Sequence, residues 1–150
     1  MLWFNTTSYG MGLSHMEKKY LLDTNICVAM IRNLFNTRMK ASEVGRTNCC
    51  ISEITIAELY YGAYKSNNLI KHFDEVVRLK DRFEVISVSS SLDTFGQLKA
   101  DMERSGNKID DFDLLIGATA ITHDLIMVTD NVKHLGKIPR IQLENWIERE

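Results

Sequence analysis

Asp23, Glu58, Asp113 and Asp130 each stand where a short apolar run gives way to a helix-like pattern. Ionised carboxylates repel one another when gathered in one place. Either some of them keep a proton, with a raised pKa, or a divalent cation holds them ionised. A parallel α/β sheet lines up the carboxyl ends of its strands along one edge, so acids far apart in sequence can meet in one crevice there. These residue types therefore point to a metal site. His15, His72, His123 and His134 show no ligand spacing, and Cys27, Cys49 and Cys50 form no zinc pattern. Oxygen donors alone select Mg²⁺ or Mn²⁺ over Zn²⁺.

Each acid also has an ordinary structural role. Thr55-Ile56-Ala57-Glu58 has the form of a capping box, Asp23 and Asp130 suit turns or caps after strands, and Asp113 suits a helix N-terminus through the dipole. The set argues otherwise, because caps gain nothing from being aimed at one another. If the strands ending at Asp23 and Asp130 are neighbours, both acids enter one crevice. Asn25, Thr129 and Asn131 beside them would orient carboxylates or hold metal-bound water, with turn chemistry as the competing role. Thr55 supports the same site from the Glu58 motif.

The elements that must position these residues follow from periodicity. Residues 19–22, 49–52, 83–88, 125–129 and 138–143 read as strands. Helical spacing follows the first strand through Leu34, and recurs over 55–64, 69–79 and 92–104, the last with Ser89-Ser90-Ser91 offering caps. Residues 55–64 and 69–79 make a helical hairpin broken at Asn67-Asn68. Residues 114–121 lack a polar face and should lie buried against the sheet, with Asp110 to Asp113 opening that helix. Strands alternating with helices imply a mainly parallel sheet of about five strands covered on both faces.

A length of 150 residues, 45% hydrophobic and 25% charged, suits one domain with a substantial core. Residues 1–15 lack periodicity and the character of a secretory signal, and Ser14-His15-Met16 resembles a vector junction. They are set aside as a tag or extension, leaving 16–150 as the domain. No apolar run reaches membrane-spanning length. Three cysteines, two of them adjacent, read as buried thiols in a reducing cytosol, so the expected location is cytoplasmic. A net charge of −2 argues against a broadly basic surface but leaves room for a local rim from Arg32, Arg38, Lys40, Arg46, Lys99, Arg104 and Lys108.

Four motifs in order are Leu21-Leu22-Asp23-Thr24-Asn25, Ile51-Ser52-Glu53-Ile54-Thr55-Ile56-Ala57-Glu58-Leu59 with Tyr61-Gly62, Phe112-Asp113-Leu114-Leu115-Ile116, and Val128-Thr129-Asp130-Asn131. On them the chain resembles the PIN-domain ribonucleases, specifically VapC-type toxins of bacterial toxin–antitoxin pairs, over roughly residues 20–146. The resemblance implies a three-layer α/β/α fold and metal-dependent hydrolysis of RNA phosphodiester bonds. It implies Asp23 and Asp113 as the firmest metal ligands, with Glu58 and Asp130 assisting directly or through water. It also implies a homodimer restrained by a small antitoxin that packs across the active-site groove. One departure is Asp110-Asp111, where many relatives carry Gly-Pro. It adds negative charge at the mouth of the site, which would raise metal affinity, weaken RNA approach, or make Asp111 compete with Asp113 as ligand; Asp113 is the one that matches the motif. Tyr60, Tyr61, Tyr64, Leu69 and Phe73 on the hairpin would serve either core or interface. The rival reading is a silent PIN-like domain that binds RNA or a protein without cutting. The expected sign of that state, loss of an acid, is not found.

Overall fold

Tyr20–Leu22 (β1), Cys49–Ser52 (β2), Glu84–Ile86 (β3), Ile126–Val128 (β4) and Leu143–Glu144 (β5) form one sheet in the order β3-β2-β1-β4-β5, with every pairing parallel. The computed structural model describes residues 19–149, so the expected extension at 1–15 lies outside the described residues. The helices are Thr24–Ile31 (α1), Thr37–Val44 (α2), Glu53–Lys65 (α3), Leu69–Arg82 (α4), Leu92–Arg104 (α5), Asp111–Thr122 (α6) and Val132–Leu135 (α7). The chain fills the sheet outward from β1 through β2 to β3, then returns to the other side of β1 for β4 and β5. Strand order reverses between β1 and β4, and such a switch point opens a crevice at the carboxyl ends of the strands.

The strands are short and apolar because both faces are covered. Successive side chains point to opposite sides. Leu22, Ile51 and Val128 join Ile26 and Met30 of α1, Leu59 of α3, Leu79 of α4 and Trp146 in one core. Leu21, Cys50 and Met127 join Leu98 of α5, Ile116 of α6 and Leu135 of α7 in the other. This is the expected three-layer α/β/α arrangement, and the sheet is wholly parallel. Leu21 and Leu22 are both fully buried, at about 1.5–3 kcal/mol for each leucine. A one-residue slip of β1 would exchange them between cores and move Asp23 off the edge.

Several expected elements differ in detail. The strand expected over 138–143 is only Leu143–Glu144. Ile138 is instead buried against α6, where a side chain on Gly117 would meet Ile138 Cδ1 at 3.1 Å, and Arg140 takes a left-handed φ of 66°. The apolar run there packs as a plug. The strand expected over 83–88 is the shorter β3, because Glu53 Oε1 accepts the Val88 N–H at 2.8 Å and draws the chain away. The helix after β1 stops at Ile31, followed by left-handed Asn33, Phe35 and Asn36. The sequence reading did not anticipate α2, which buries only Thr37 and Ala41. The capping box at Thr55–Glu58 is not formed. α3 begins at Glu53, capped by Ser52, whose Oγ accepts the Ile54 N–H at 3.0 Å.

The hairpin of α3 and α4 is present, with Asn68 Oδ1 accepting the Lys71 N–H at 3.3 Å to start α4. All three cysteines are buried free thiols. Among the described residues no helix is long and apolar enough to cross a membrane.

Candidate metal centre at the sheet edge

Register places the first components. Leu22 is opposite Val128, and the Asp23 N–H donates to the Val128 carbonyl at 2.9 Å, so Asp23 and Thr129 leave the sheet side by side. Asp23 is 3% exposed. Its carboxylate accepts the Thr24 N–H at 2.8 Å, the Thr129 hydroxyl at 2.8 Å and the Asn25 amide at 3.4 Å. It therefore caps α1, as the ordinary reading held, while facing the crevice. Burial raises its pKa against the opposing pull of those three bonds.

Thr24 joins α1 to α3. Its hydroxyl donates to Glu58 Oε1 at 2.6 Å and lies 3.1 Å from the hydroxyl of the fully buried Thr55. A hydroxyl has one proton but can also accept, so Thr55 donates to Thr24 and Thr24 to Glu58. Thr55 is thus part of a relay that aims Glu58. Burial raises the Glu58 pKa, the Thr24 bond lowers it, and the charges of Asp23 and Asp110 raise it further.

Asp113 lies in the first turn of α6, whose Leu114, Ile116, Ala118 and Ala120 are buried. A helix fixed by so much apolar surface holds its first-turn acid firmly. The Asp113 pKa is raised to about 6, first by burial and then by the charges of Asp23, Asp110 and Glu58.

Asn25 latches the opposite wall. Its Oδ1 accepts the Asp130 N–H at 3.0 Å, while its Nδ2 reaches the Thr129 oxygen at 3.3 Å. Thr129 accepts the backbone N–H of Asn131 at 3.1 Å. The Asn131 side chain is exposed and makes no capping bond at α7, so that residue contributes through its backbone. Asp130 stands differently from the other acids. Its carboxylate accepts from Arg149 and Asn145, and the Arg149 guanidinium holds its pKa below the usual range.

The structure thus draws Asp23, Glu58 and Asp113 into one electrostatic group and turns Asp130 toward the C-terminal segment. Asp111 is ion-paired with Lys99 at 2.9 Å on the outer face of α6. The neighbouring acid that acts on the site is Asp110, which also caps α6 by accepting the Phe112 N–H at 3.1 Å. Sequence reasoning assigned no role to Thr24, Asp110 or Arg149. Thr24 lies inside a quoted motif, and Asp110 was visible as an opener of the helix and as extra charge, without a part in the site.

Oxygen-only donors with pKa values raised by burial and, at Glu58 and Asp113, by neighbouring acids fit a hard divalent cation, which would relieve their repulsion. Among the described residues no three Asp, Glu, His or Cys side chains already surround one point at ligating distance. The fit therefore rests on donor chemistry and charge. Beside Glu58 and Thr24 opens a cleft of about 600 Å³ between α1, α3 and α4, floored by Val28, Leu59 and Val76 and edged by Arg32 and Lys71. Much of the expected basic rim is engaged elsewhere. Arg38 donates to the carbonyls of Met30 and Ile31, Arg46 to that of Arg82, and Arg104 to Asp101.

The PIN domain family pattern matches residues 20–140. The chain is 30% identical to the tRNA(fMet)-specific endonuclease VapC of Shigella flexneri, covering 85% of this chain and 98% of that protein. It is 35% identical to ribonuclease VapC2 of Rickettsia felis, over 85% and 97% of the two chains. Among solved structures, DNA-bound VapBC from Salmonella typhimurium superimposes with a TM-score of 0.81 at 32% identity, covering 85% of this chain and 98% of that one. VapBC2 from Rickettsia felis bound to a promoter DNA fragment gives 0.77 at 35% identity, with the same shares covered. Fold, edge acids and likeness along nearly the whole described domain agree: the chain belongs to the PIN-domain family, as a VapC-type member.

Proposed function

We propose that the protein is a metal-dependent endoribonuclease and the toxin of a toxin–antitoxin pair, with Asp23, Glu58 and Asp113 at its centre and Asp130 on its margin. The observation that carries the reading is the gathering of these acids at the β1/β4 switch point, where the charge of Asp23 raises the pKa of both Glu58 and Asp113 and the charge of Glu58 raises Asp113 further. Asp23 and Asp113 would hold the cation, Mg²⁺ or Mn²⁺, and Glu58 would assist directly or through water. When bound, such a cation supplies an activated water and neutralises charge on a phosphate. Thr129 and Thr24 fix the Asp23 carboxylate by hydrogen bonds. Glu58 Oε1 carries the Thr24 bond, which leaves Oε2 to take a proton from the attacking water, and its raised pKa suits a general base.

Names of the relatives support RNA as substrate and an antitoxin as partner, and with such a substrate and partner the protein would work in the cytoplasm. The apolar floor of the cleft suits an antitoxin segment lying beside Glu58. On the hairpin, Tyr61 and Tyr64 are each 66% exposed, whereas Tyr60 packs on Phe73 with centroids 5.0 Å apart. Tyr61 and Tyr64, with exposed Leu69, are therefore the residues offered to a partner or a second copy of the chain. The test is incubation of purified protein with total RNA and Mg²⁺ or Mn²⁺, with chelator and Asp23→Asn controls. Discrete fragments requiring both metal and Asp23 are expected. Equal cleavage by a folded Asp23→Asn variant would remove the proposed centre.

A further inference from the structure

Asp130 leaves β4 at the switch point, yet its carboxylate faces the C-terminal segment. Arg149 donates from Nη1 to Oδ1 at 2.7 Å and from Nη2 to Oδ2 at 2.5 Å, and Asn145 Nδ2 donates to Oδ1 at 3.2 Å. The same guanidinium lies over the Phe35 ring, with Cζ 5.5 Å from its centroid. Both supports are built. Trp146 is 2% exposed, packs against Tyr20 with the rings tilted by 59° and donates to Glu144 at 2.8 Å, so Arg149 projects three residues beyond a fixed anchor. Phe35 has φ 59°, a left-handed conformation disfavoured for an aromatic residue. The loop is held there by the Leu34 N–H on the Ala29 carbonyl at 2.8 Å and the Thr37 hydroxyl on the Leu34 carbonyl at 2.8 Å.

The end-on pair engages two of the five guanidinium N–H groups and leaves the others for a second acceptor. Arg149 is 58% exposed at the margin of a cluster whose own charge is negative, where a polyanion needs a cation to approach. A carboxylate on one edge and an aromatic ring on one face set the plane of a guanidinium for paired hydrogen bonds to phosphate.

We propose that Arg149 binds an RNA phosphate next to the one cleaved, and that Asp130 is the positioning residue that aims it rather than a ligand of the cation. This rests on the ribonuclease reading and departs from the role that the family resemblance implies for Asp130.

The experiment pairs two readouts on wild type, Arg149→Ala, Arg149→Lys, Asp130→Asn, the double variant Asp130→Asn/Arg149→Ala, and Asp113→Asn. One is anisotropy of a labelled single-stranded oligouridylate in chelator; the other is Mn²⁺ binding by electron paramagnetic resonance without RNA. Arg149→Ala is expected to weaken RNA binding about tenfold, as loss of one charge-assisted bond does. Its log–log salt slope should flatten by about 0.7 for one lost phosphate contact on a single strand. Asp130→Asn should weaken RNA binding in the same direction, the double variant should be no weaker than Arg149→Ala, and Arg149→Lys should recover part of the loss. Mn²⁺ affinity should be unchanged in all four and lost in Asp113→Asn. Unchanged or tighter RNA binding by Arg149→Ala overturns the proposal, tighter binding marking Arg149 as an occluding latch instead. Mn²⁺ loss in Asp130→Asn as deep as in Asp113→Asn overturns it too. A wild type that neither binds nor cuts RNA removes the ribonuclease reading as well, whereas a wild type that cuts while Arg149→Ala binds equally removes only the Arg149 assignment.

Discussion

The Asp113 carboxyl, raised to about 6 by burial and by neighbouring acids, has opposite consequences with and without a cation. In the metal-free protein it holds its proton more tightly folded than unfolded. Ionisation therefore costs stability above pH 6, and that stability returns as the pH falls from 6 toward the unfolded value near 4. The full shift corresponds to about 3 kcal/mol, which half-exposure and screening reduce to about 1–2 kcal/mol. Calorimetry in chelator should show a higher melting temperature at pH 5 than at pH 7.5, and a smaller difference in Asp113→Asn. Asp23 and Glu58 are shifted in the same direction, so the difference should shrink rather than vanish. Thr24→Val tests the relay. It removes the donor to Glu58 and the acceptor for Thr55, with an expected stability loss of about 1–3 kcal/mol. Cleavage of total RNA should fall about ten- to a hundredfold, while anisotropy should show RNA binding retained; undiminished cleavage would exclude the relay. Asp23 and Glu58 were singled out in the sequence by the apolar runs before them, and Asp113 by the apolar helix it opens. The choice between Asp110 and Asp111 was not, because it turns on helix phase: one residue decides which acid caps α6 facing the site and which points outward to Lys99.

At the scale of elements, α6 carries the most constraint. It is apolar on nearly every side, and its approach to the 138–141 segment passes over Gly117, where an added Cβ would meet Ile138 at 3.1 Å. Gly117→Val should cost about 1–3 kcal/mol through overpacking. The cost should appear in urea unfolding as a lower midpoint with unchanged slope, and Gly117→Ala should cost less, because Ile138 Cδ1 can shift by a few tenths of an ångström. Strands buried on both faces were readable as short apolar runs, and β2 matched its expected span. The 138–143 run carries the same composition but packs as a plug, since Pro139 and left-handed Arg140 deny it a ladder. α2 stayed hidden because its buried side is only Thr37 and Ala41, too thin for a periodic signal. The Thr55–Glu58 motif looked like a cap because its letters fit one. Ser52 took that role three residues earlier and freed Thr55 for the relay.

For the whole molecule, a cation that binds only the assembled edge should stabilise the fold by mass action, by about 2.7 kcal/mol at a hundred times its dissociation constant. Mn²⁺ should raise the melting temperature of wild type at pH 7.5 and leave Asp23→Asn and Asp113→Asn unmoved. Below pH 6 the proton competes for Asp113, so the Mn²⁺ effect should shrink by pH 5. An equal rise in all three proteins would place the ion elsewhere. Much of this organisation was visible in the sequence, since the order of strands, helices and acids fixes which edge they share. Arg149 was not, because a charged residue near a chain terminus looks like any other solvated charge until the folded segment brings it back to Asp130.

The same edge has a temporal side. Thr129 steadies Asp23 from 106 residues away, across the β1–β4 pairing. Contacts so distant form late, after a large loop has closed. During synthesis, the segment bearing Asp23, Glu58 and even Asp113 leaves the ribosome before β4 exists to pair with β1. The acid edge is therefore assembled only after the chain has been made through β4.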